Sequence, residues 1–226
     1  IGCYSLGVNP PLNGLDYLIC MGSGFSSMIG LAKALELQRD PRKVLGMLGD
    51  STFFHSGITS LIDIVATNAN VIACILDNSI TAMTGHQDNP GTGRSITGDA
   101  IPVIDIESVV RSLGINDDRL RVIDPLDRDS VLEAIESGIN TKGPFVIIAK
   151  SPCALLRETV RKNAGRCCVV DADKCTGCKQ CLRIACPAVS FENRKARIDV
   201  NAGCNGCGLC MQVCPAGAIG RTGGVR

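Results

Sequence analysis

The feature that most constrains this chain is a cysteine run that occurs twice near its C-terminal end. The first copy reads Cys175-x2-Cys178-x2-Cys181-x4-Cys186-Pro187, and the second reads Cys204-x2-Cys207-x2-Cys210-x3-Cys214-Pro215. The copies are offset by 29 residues, and by 28 at the last cysteine, because the first copy holds one extra residue. Eight of the 14 cysteines lie in this window. Around them the apolar runs are short: Cys167–Val170, Val189–Phe191 and Ala196–Val200 are candidate small strands. A segment with so little core needs an inorganic staple.

The spacing matches that of two-cluster bacterial ferredoxins. Three cysteines on a tight turn grip three irons of one cubane. A fourth, held before proline, points at the other cluster. Cys175, Cys178, Cys181 and Cys214 are therefore expected to hold one [4Fe–4S] cluster, and Cys204, Cys207, Cys210 and Cys186 the second. Structural zinc takes four ligands per site and rarely uses a triple-cysteine run. Disulfides are the other competing reading. The extra residue before Cys186 bears on loop geometry rather than on ligation.

Charge divides the chain at about the same place. Residues 1–150 carry 11 Lys/Arg against 17 Asp/Glu, while residues 151–226 carry 12 against 5. Ser151-Pro152 and the polar stretch 157–166 read as a connector, and the boundary is placed between residues 157 and 158, giving domains 1–157 and 158–226. With 226 residues the chain is long enough to bury a real core, since chains of this size hide roughly 70% of their unfolded surface. Net charge is +1, which gives no bias toward nucleic acid. No apolar run approaches the roughly 20 residues needed to span a bilayer. The chain begins at Ile1, inside an apolar run, and is expected to be a piece of something longer.

Residues 1–150 alternate apolar runs with helix-like segments. Strands are expected at Tyr17–Cys20, Val44–Leu48, Val71–Leu76, Arg121–Ile123 and Phe145–Ala149. Helices are expected at about Ser26–Gln38, Ser56–Thr67, Ile106–Leu113 and Asp129–Asn140. Wholly apolar strands separated by helices indicate an α/β fold with a parallel sheet covered on both faces. Ligands of such sheets bind beyond the carboxyl ends of the strands.

Two polar motifs close neighbouring strands there, Gly49-Asp50-Ser51 and Asp77-Asn78-Ser79. An Asp and an Asn at adjacent strand ends can share Mg2+, which takes oxygen ligands and leaves room for phosphate and water. The Ile80 carbonyl can complete the set. Alternatively, Asp50 caps the following helix and Asn78 makes an Asx-turn, and spacing does not choose between these. Gly22-Ser23-Gly24 half-matches a dinucleotide fingerprint, but the third glycine is Ser27 and the acidic residue Asp50 comes too late.

Gly49-Asp50-Ser51 followed by Asn78 resembles the thiamine-diphosphate motif, with Ser51 in place of its last glycine. The runs Gly49–Gly57, Asp77–His86 and Asn89-Pro-Gly-Thr-Gly93 resemble the 2-oxoacid:ferredoxin oxidoreductases, and within them the C-terminal part of the large subunit of indolepyruvate ferredoxin oxidoreductases. The runs Ile1–Gly7 and Cys20–Gly24 fit the same family, so the resemblance covers nearly the whole chain. It implies a thiamine-diphosphate domain followed by a dicluster ferredoxin-like domain. It implies that Asp50, Asn78 and the Ile80 carbonyl hold Mg2+ against the diphosphate. Gly22, Ser23, Gly24, Gly49, Ser51 and Thr52 would lie along the cofactor, and Thr81, Met83 and Thr84 would form its wall. His55 and His86 flank this site, and either a pocket or a plain surface role suits them.

The activity implied is thiamine-dependent oxidative decarboxylation of a 2-oxoacid, with an aryl pyruvate favoured. The acyl group goes to coenzyme A, and electrons pass singly through the clusters to ferredoxin. Thiamine enzymes also need a pyrimidine-binding domain carrying an activating glutamate. The six glutamates here, Glu36, Glu107, Glu133, Glu136, Glu158 and Glu192, all fall outside the motif loops. The missing domain is expected from upstream sequence or from a second subunit, and the isolated chain is expected to be inactive. A pyruvate or 2-oxoglutarate enzyme, or an electron-transfer module without thiamine, are the alternatives. Of the remaining cysteines, Cys74 reads as core, while Cys3 and Cys20 sit near strand ends. Cys153, Cys167 and Cys168 have no spacing that supports a third metal. Free thiols beside clusters indicate a reducing cytoplasm, as in a low-oxygen prokaryote.

Overall fold

The structure, a computed structural model, describes residues 1–222. The chain forms two compact units, residues 1–6 with 17–153, and residues 7–16 with the chain from Ala154 onward.

The first unit is built on four parallel strands, β1 (Val44–Gly49), β2 (Val71–Asp77), β3 (Leu120–Ile123) and β4 (Phe145–Lys150), in the order β1-β2-β4-β3. Register pairs Gly49 with Leu76, and Asp77 with Lys150. The central strands β2 and β4 are apolar up to their last residues because both of their faces are covered, whereas the edge strand β3 carries Arg121. Val71, Ala73 and Ile75 of β2 pack with Val146 and Ile148 of β4 against α1 (Ser23–Leu37), α3 (Ile58–Ala66) and α4 (Ile106–Ser112). Ile72, Phe145 and Ile147 point the other way, against Ala134 of α5 (Arg128–Asn140). Fully burying one such side chain is worth about 1.5–3 kcal/mol, so this two-sided core dominates the unit's stability. Asp105 caps α4 by accepting the Ser108 N–H at 2.7 Å, and Asp127 caps α5.

Two expected elements differ. Tyr17–Cys20 is not a strand. The backbone of Cys20 is already engaged by Ser23, whose hydroxyl accepts its N–H at 3.0 Å and donates to its carbonyl at 2.7 Å. The run is therefore the lead-in to α1, which starts at Ser23 rather than near Ser26. The helix expected at Ser56–Thr67 begins earlier. Helical backbone follows β1 directly as α2 (Asp50–Thr52), continues through a π-helical turn (Phe53–Gly57), and becomes α3.

The second unit contains α6 (Arg157–Lys162) and two antiparallel pairs. These are β5 (Cys167–Val170) with β8 (Ile219–Thr222), and β6 (Val189–Glu192) with β7 (Lys195–Ile198). A short helix, α7 (Leu209–Gln212), carries Cys210. β8 was not expected, because a lone Ile followed by Gly220 gives little strand signal. Its pairing with β5 supplies the missing reason. The buried cluster of this unit is largely sulfur and alanine: Cys168, Cys175, Cys181 and Cys210 with Ala196, Ala218 and Ile219.

Candidate functional site

Asp50 and Asn78 stand at the carboxyl ends of β1 and β2, neighbours in the parallel sheet. Asp50 is buried, and its carboxylate accepts hydrogen bonds from three directions. The Ser51 N–H reaches Oδ1 at 2.8 Å. The Ile80 N–H and the Asn89 side-chain amide reach Oδ2 at 3.2 and 3.1 Å. The same Ile80 N–H lies 3.3 Å from Asn78 Oδ1. Side-chain oxygens of Asp50 and Asn78 thus converge on one backbone group, and the sequence motif becomes a spatial one. Burial pushes the Asp50 carboxyl upward, against those hydrogen bonds, and the charge of Asp77 adds to the rise. Asp77 itself accepts the Ser79 N–H at 3.0 Å and faces Lys150 at 3.6 Å. The Asp50 group is one a hard cation would stabilise.

Gly22 precedes α1 with φ of 89°, and a Cβ there would lie 2.2 Å from Ser56 Oγ in the π-helical turn. The N-terminus of α1 therefore abuts the helical run that Asp50 opens. Among the described residues no side chain caps α1; the Ser23 N–H is taken by the Cys20 carbonyl at 3.1 Å, and the N–H groups after it suit an anion such as a diphosphate. The close approach at Gly24 is to protein rather than to open space. A Cβ on Gly24 would lie 2.7 Å from the Met47 carbonyl, and one on Gly46 would lie 2.5 Å from the Gly24 carbonyl. Those two glycines let α1 press onto β1. Ser51 is half-buried, Thr52 is buried and Gly49 sits beneath Tyr4, whose phenol is pushed up by burial.

After Ile80 the chain forms a small hairpin, closed by Thr81 and Gln87 exchanging backbone bonds at 2.9 and 3.2 Å. Thr84 bonds Gln87 at 2.5 Å. Met83 is 54% exposed, so it is no core residue. His55 is exposed on the π-helical turn, and such turns often mark functional sites. His86 is exposed and lies 3.8 Å from Cys153 Sγ. A cleft of about 790 Å³ opens beside this hairpin, lined by His86, Asn89, Pro90, Arg94, Ile101 and Ile104 among others.

Asn89 is the residue that sequence reasoning missed. It lay inside the Asn89-Pro-Gly run, but its partner is far away in sequence. Its Oδ1 accepts the Gly91 N–H at 2.9 Å, and this aims the amide at Asp50.

In the second unit, Cys175, Cys178, Cys181 and Cys214 line one cavity together with Phe191, Ala196 and Ala218. This is the set expected around one cluster, including the member that crosses from the second run. Positive φ at Gly177, Gly206 and Gly208 lets the loops turn tightly enough to present successive cysteines to one centre. Backbone N–H groups reach the sulfurs. Ala196 donates to Cys175 Sγ at 3.5 Å and Ala218 to Cys214 Sγ at 3.3 Å. The Ala196 N–H, then the Gly177 N–H and the charge of Lys195, hold the Cys175 thiol below its ordinary value. Cys210 is pushed up to about 12, mainly by burial, with Cys168, Cys207 and Cys186 adding to the rise. Cys207 and Cys186 belong to the second expected set, and the crossing Cys186 is close enough to act on Cys210. The four sulfurs around the first cavity are the donor set a cubane needs, and in the second set Cys186 and Cys207 both lie near Cys210. Cys74 behaves as the core thiol expected, pushed up to about 12 by burial alone. Cys3 and Cys20 are exposed, and Cys167 pairs with Thr222 Oγ1 at 2.9 Å.

Comparison with known proteins gives two family matches. The C-terminal TPP binding domain of thiamine pyrophosphate enzymes matches residues 1–149, and a 4Fe-4S dicluster domain matches residues 167–215. Indolepyruvate oxidoreductase subunit IorA of Archaeoglobus fulgidus is 39% identical over 221 residues, covering 97% of this chain and 34% of that subunit. The same subunit from Pyrococcus horikoshii is 40% identical over 234 residues, covering 97% of this chain and 36% of its own length. That of Methanothermobacter thermautotrophicus is 38% identical over 220 residues, with 97% and 34% covered. The chain thus spans about a third of the length of the curated relatives it matches. Among the described residues no helix is long and apolar enough to cross a membrane.

Proposed function

This chain belongs to the thiamine pyrophosphate enzyme family through its C-terminal TPP binding domain, and we propose that it is the diphosphate-binding and electron-transfer portion of a 2-oxoacid:ferredoxin oxidoreductase. The observation that carries the reading is the meeting of Asp50, Asn78 and Ile80 at the ends of β1 and β2, in a chain that also brings Cys175, Cys178, Cys181 and Cys214 around one cavity.

Asp50, Asn78 and the Ile80 carbonyl hold Mg2+ on the diphosphate, and Asn89 fixes the Asp50 carboxylate from behind. Gly22 and Ser23 offer the α1 N-terminus to phosphate oxygens. Gly49, Ser51 and Thr52 border the same strand end, and Thr81, Met83 and Thr84 flank it on the hairpin. Thiamine diphosphate supplies an electron sink for decarboxylation when bound. Cys175, Cys178, Cys181 and Cys214 hold one [4Fe–4S] cluster, and Cys204, Cys207, Cys210 and Cys186 the other. Two one-electron centres suit the delivery of electrons to ferredoxin.

The names of the relatives support an aryl pyruvate such as indolepyruvate as substrate, and coenzyme A is the acyl acceptor in this reading. The pyrimidine-binding domain with its activating glutamate lies outside this chain, in upstream sequence or a second subunit, and the isolated chain is inert.

The test is cofactor analysis of the intact enzyme followed by assay. Bound thiamine diphosphate, two clusters per chain and ferredoxin reduction by indolepyruvate in preference to pyruvate support the reading. Two clusters without thiamine make the chain an electron-transfer module instead. Faster turnover of pyruvate or 2-oxoglutarate reassigns the substrate. Acyl-CoA formation by the isolated chain removes the need for another domain.

A further inference from the structure

Cys168 lies outside both four-cysteine sets, yet its surroundings are those of the second. It is 1% exposed, in β5. Its backbone N–H donates to Cys204 Sγ at 3.3 Å. Its side chain lies in the same buried cluster as Cys210, with Cys204 packed against that cluster. The second run therefore wraps around a fifth, buried sulfur.

The repeat supplies its own comparison. Cys204 opens the second run as Cys175 opens the first. Cys175 Sγ accepts a backbone N–H from a strand residue too, and that residue is Ala196 of β7, at 3.5 Å. Cys168 and Ala196 thus occupy matching places, each donating its N–H to the first cysteine of one run. Both side chains are buried, at 1% and 9% exposure. One place carries a methyl group and the other a thiol. The fold tolerates alanine there, so packing alone does not call for sulfur.

A thiol at that place brings what a methyl group lacks, a weak S–H donor. Hydrogen bonds to cluster sulfurs stabilise the more negative, reduced state, and are one of the levers that set reduction potential. We propose that Cys168 is a positioning and tuning residue for the cluster held by Cys204, Cys207, Cys210 and Cys186, donating its S–H toward the cluster's sulfur and raising its potential above that of the cluster beside Ala196. The pair is then ordered in energy, with the Cys168 cluster as the preferred resting place of a single electron. This inference rests on the two-cluster assignment of the preceding subsection.

The experiment is a potentiometric titration of the intact holoenzyme, followed by electron paramagnetic resonance, on the native protein and on Cys168→Ala, Cys168→Ser and Ala196→Cys. Iron content and spin count come first. A native protein with fewer than two clusters overturns the cluster assignment, not the tuning. With two clusters present, Cys168→Ala is expected to keep both and to weaken reduction of one about tenfold, ~59 mV for a one-electron couple. Cys168→Ser, which keeps a donor, is expected to recover most of that shift. Ala196→Cys is expected to move the other cluster upward. Two intact clusters with unchanged potentials in Cys168→Ala overturn the proposal. So does loss of one cluster in Cys168→Ala, which makes Cys168 a ligand or a structural support.

Discussion

Asn89 donates its side-chain amide to the buried carboxylate of Asp50 at 3.1 Å, across 39 positions of sequence. The bond fixes which way the carboxylate faces, and the Gly91 N–H on Asn89 Oδ1 fixes the amide in turn. Partners behind a metal ligand typically contribute 10–100-fold to metal affinity. Asn89→Ala should therefore weaken Mg2+-dependent binding of thiamine diphosphate by roughly 10–100-fold, and Asp50→Ala should abolish the Mg2+ dependence. Calorimetry on the full-length enzyme measures both. Equal binding by Asn89→Ala and the native protein would remove Asn89 from the site.

The crossing of ligands between the two runs has a spectroscopic signature. Cys178→Ala and Cys214→Ala touch different runs but line the same cavity, so both should lose the same resonance. Cys207→Ala and Cys186→Ala should lose the other one. Each variant should keep about half of the native iron. A pairing in which Cys178 and Cys186 share a signal would mean that each run binds its own cluster.

Much of this arrangement was legible in the sequence, and its limits are physical. The four strands of the parallel sheet stand where apolar runs predicted them; β2 and β4, buried on both faces, leave no polar position before their last residue to blur the pattern. The apolar run at Tyr17–Cys20 misled because composition does not reveal that Ser23 already occupies the Cys20 backbone. The helix after β1 starts at Asp50, with no turn residues to announce it, since Gly49 passes from extended to helical backbone in one step. The pairing of Asp50 with Asn78 was suggested by spacing to strand ends. The role of Asn89 was not, because a hydrogen bond spanning a whole crossover leaves no periodic trace. Cys168 was hidden for the same reason, since the register of β5 brings it to Cys204 and no motif does.

The cap on α4 gives a pH-dependent prediction away from any cofactor. Asp105 is held below the usual carboxylate range, chiefly by the Ser108 side chain and then by its backbone N–H. A carboxyl lowered in the folded state contributes stability that is present above its unfolded value near 3.8 and is lost as pH falls through the lower folded value. Asp105→Ala should cost about 1 kcal/mol at neutral pH. The cost should shrink as pH drops below the unfolded value. Chemical denaturation at several pH values reads the difference, and a cost independent of pH would show that the cap does not act through its charge.

Lys43 closes the other end of a helix. Its ammonium donates to the carbonyls of Gly138 and Gly143 at 2.8 and 3.2 Å, and to that of Thr141. These are acceptors at and just beyond the end of α5, where helical carbonyls lack intrahelical partners. Lys43→Met keeps most of the apolar stem but leaves the carbonyls without their donor, and should destabilise the first unit by about 1–3 kcal/mol. Thermal unfolding measures it, and an unchanged midpoint would show that water replaces the ammonium at no cost.

Gly22 and Gly24 are two residues apart, yet their substitution should fail for different reasons. At Gly22 a Cβ meets the flexible Ser56 hydroxyl at 2.2 Å, and the backbone has φ of 89°. At Gly24 a Cβ meets the Met47 backbone carbonyl at 2.7 Å, which cannot rotate away. Gly24→Ala must lift α1 off β1, and should cost about 1–3 kcal/mol, as overpacking does. Gly22→Ala should cost a similar amount, split between the clash and the left-handed backbone. Ser56→Ala should therefore restore part of the stability lost in Gly22→Ala and none of that lost in Gly24→Ala. A double-mutant cycle separates the two. Full rescue of Gly22→Ala would mean that contact with Ser56, and not backbone conformation, is what requires glycine there.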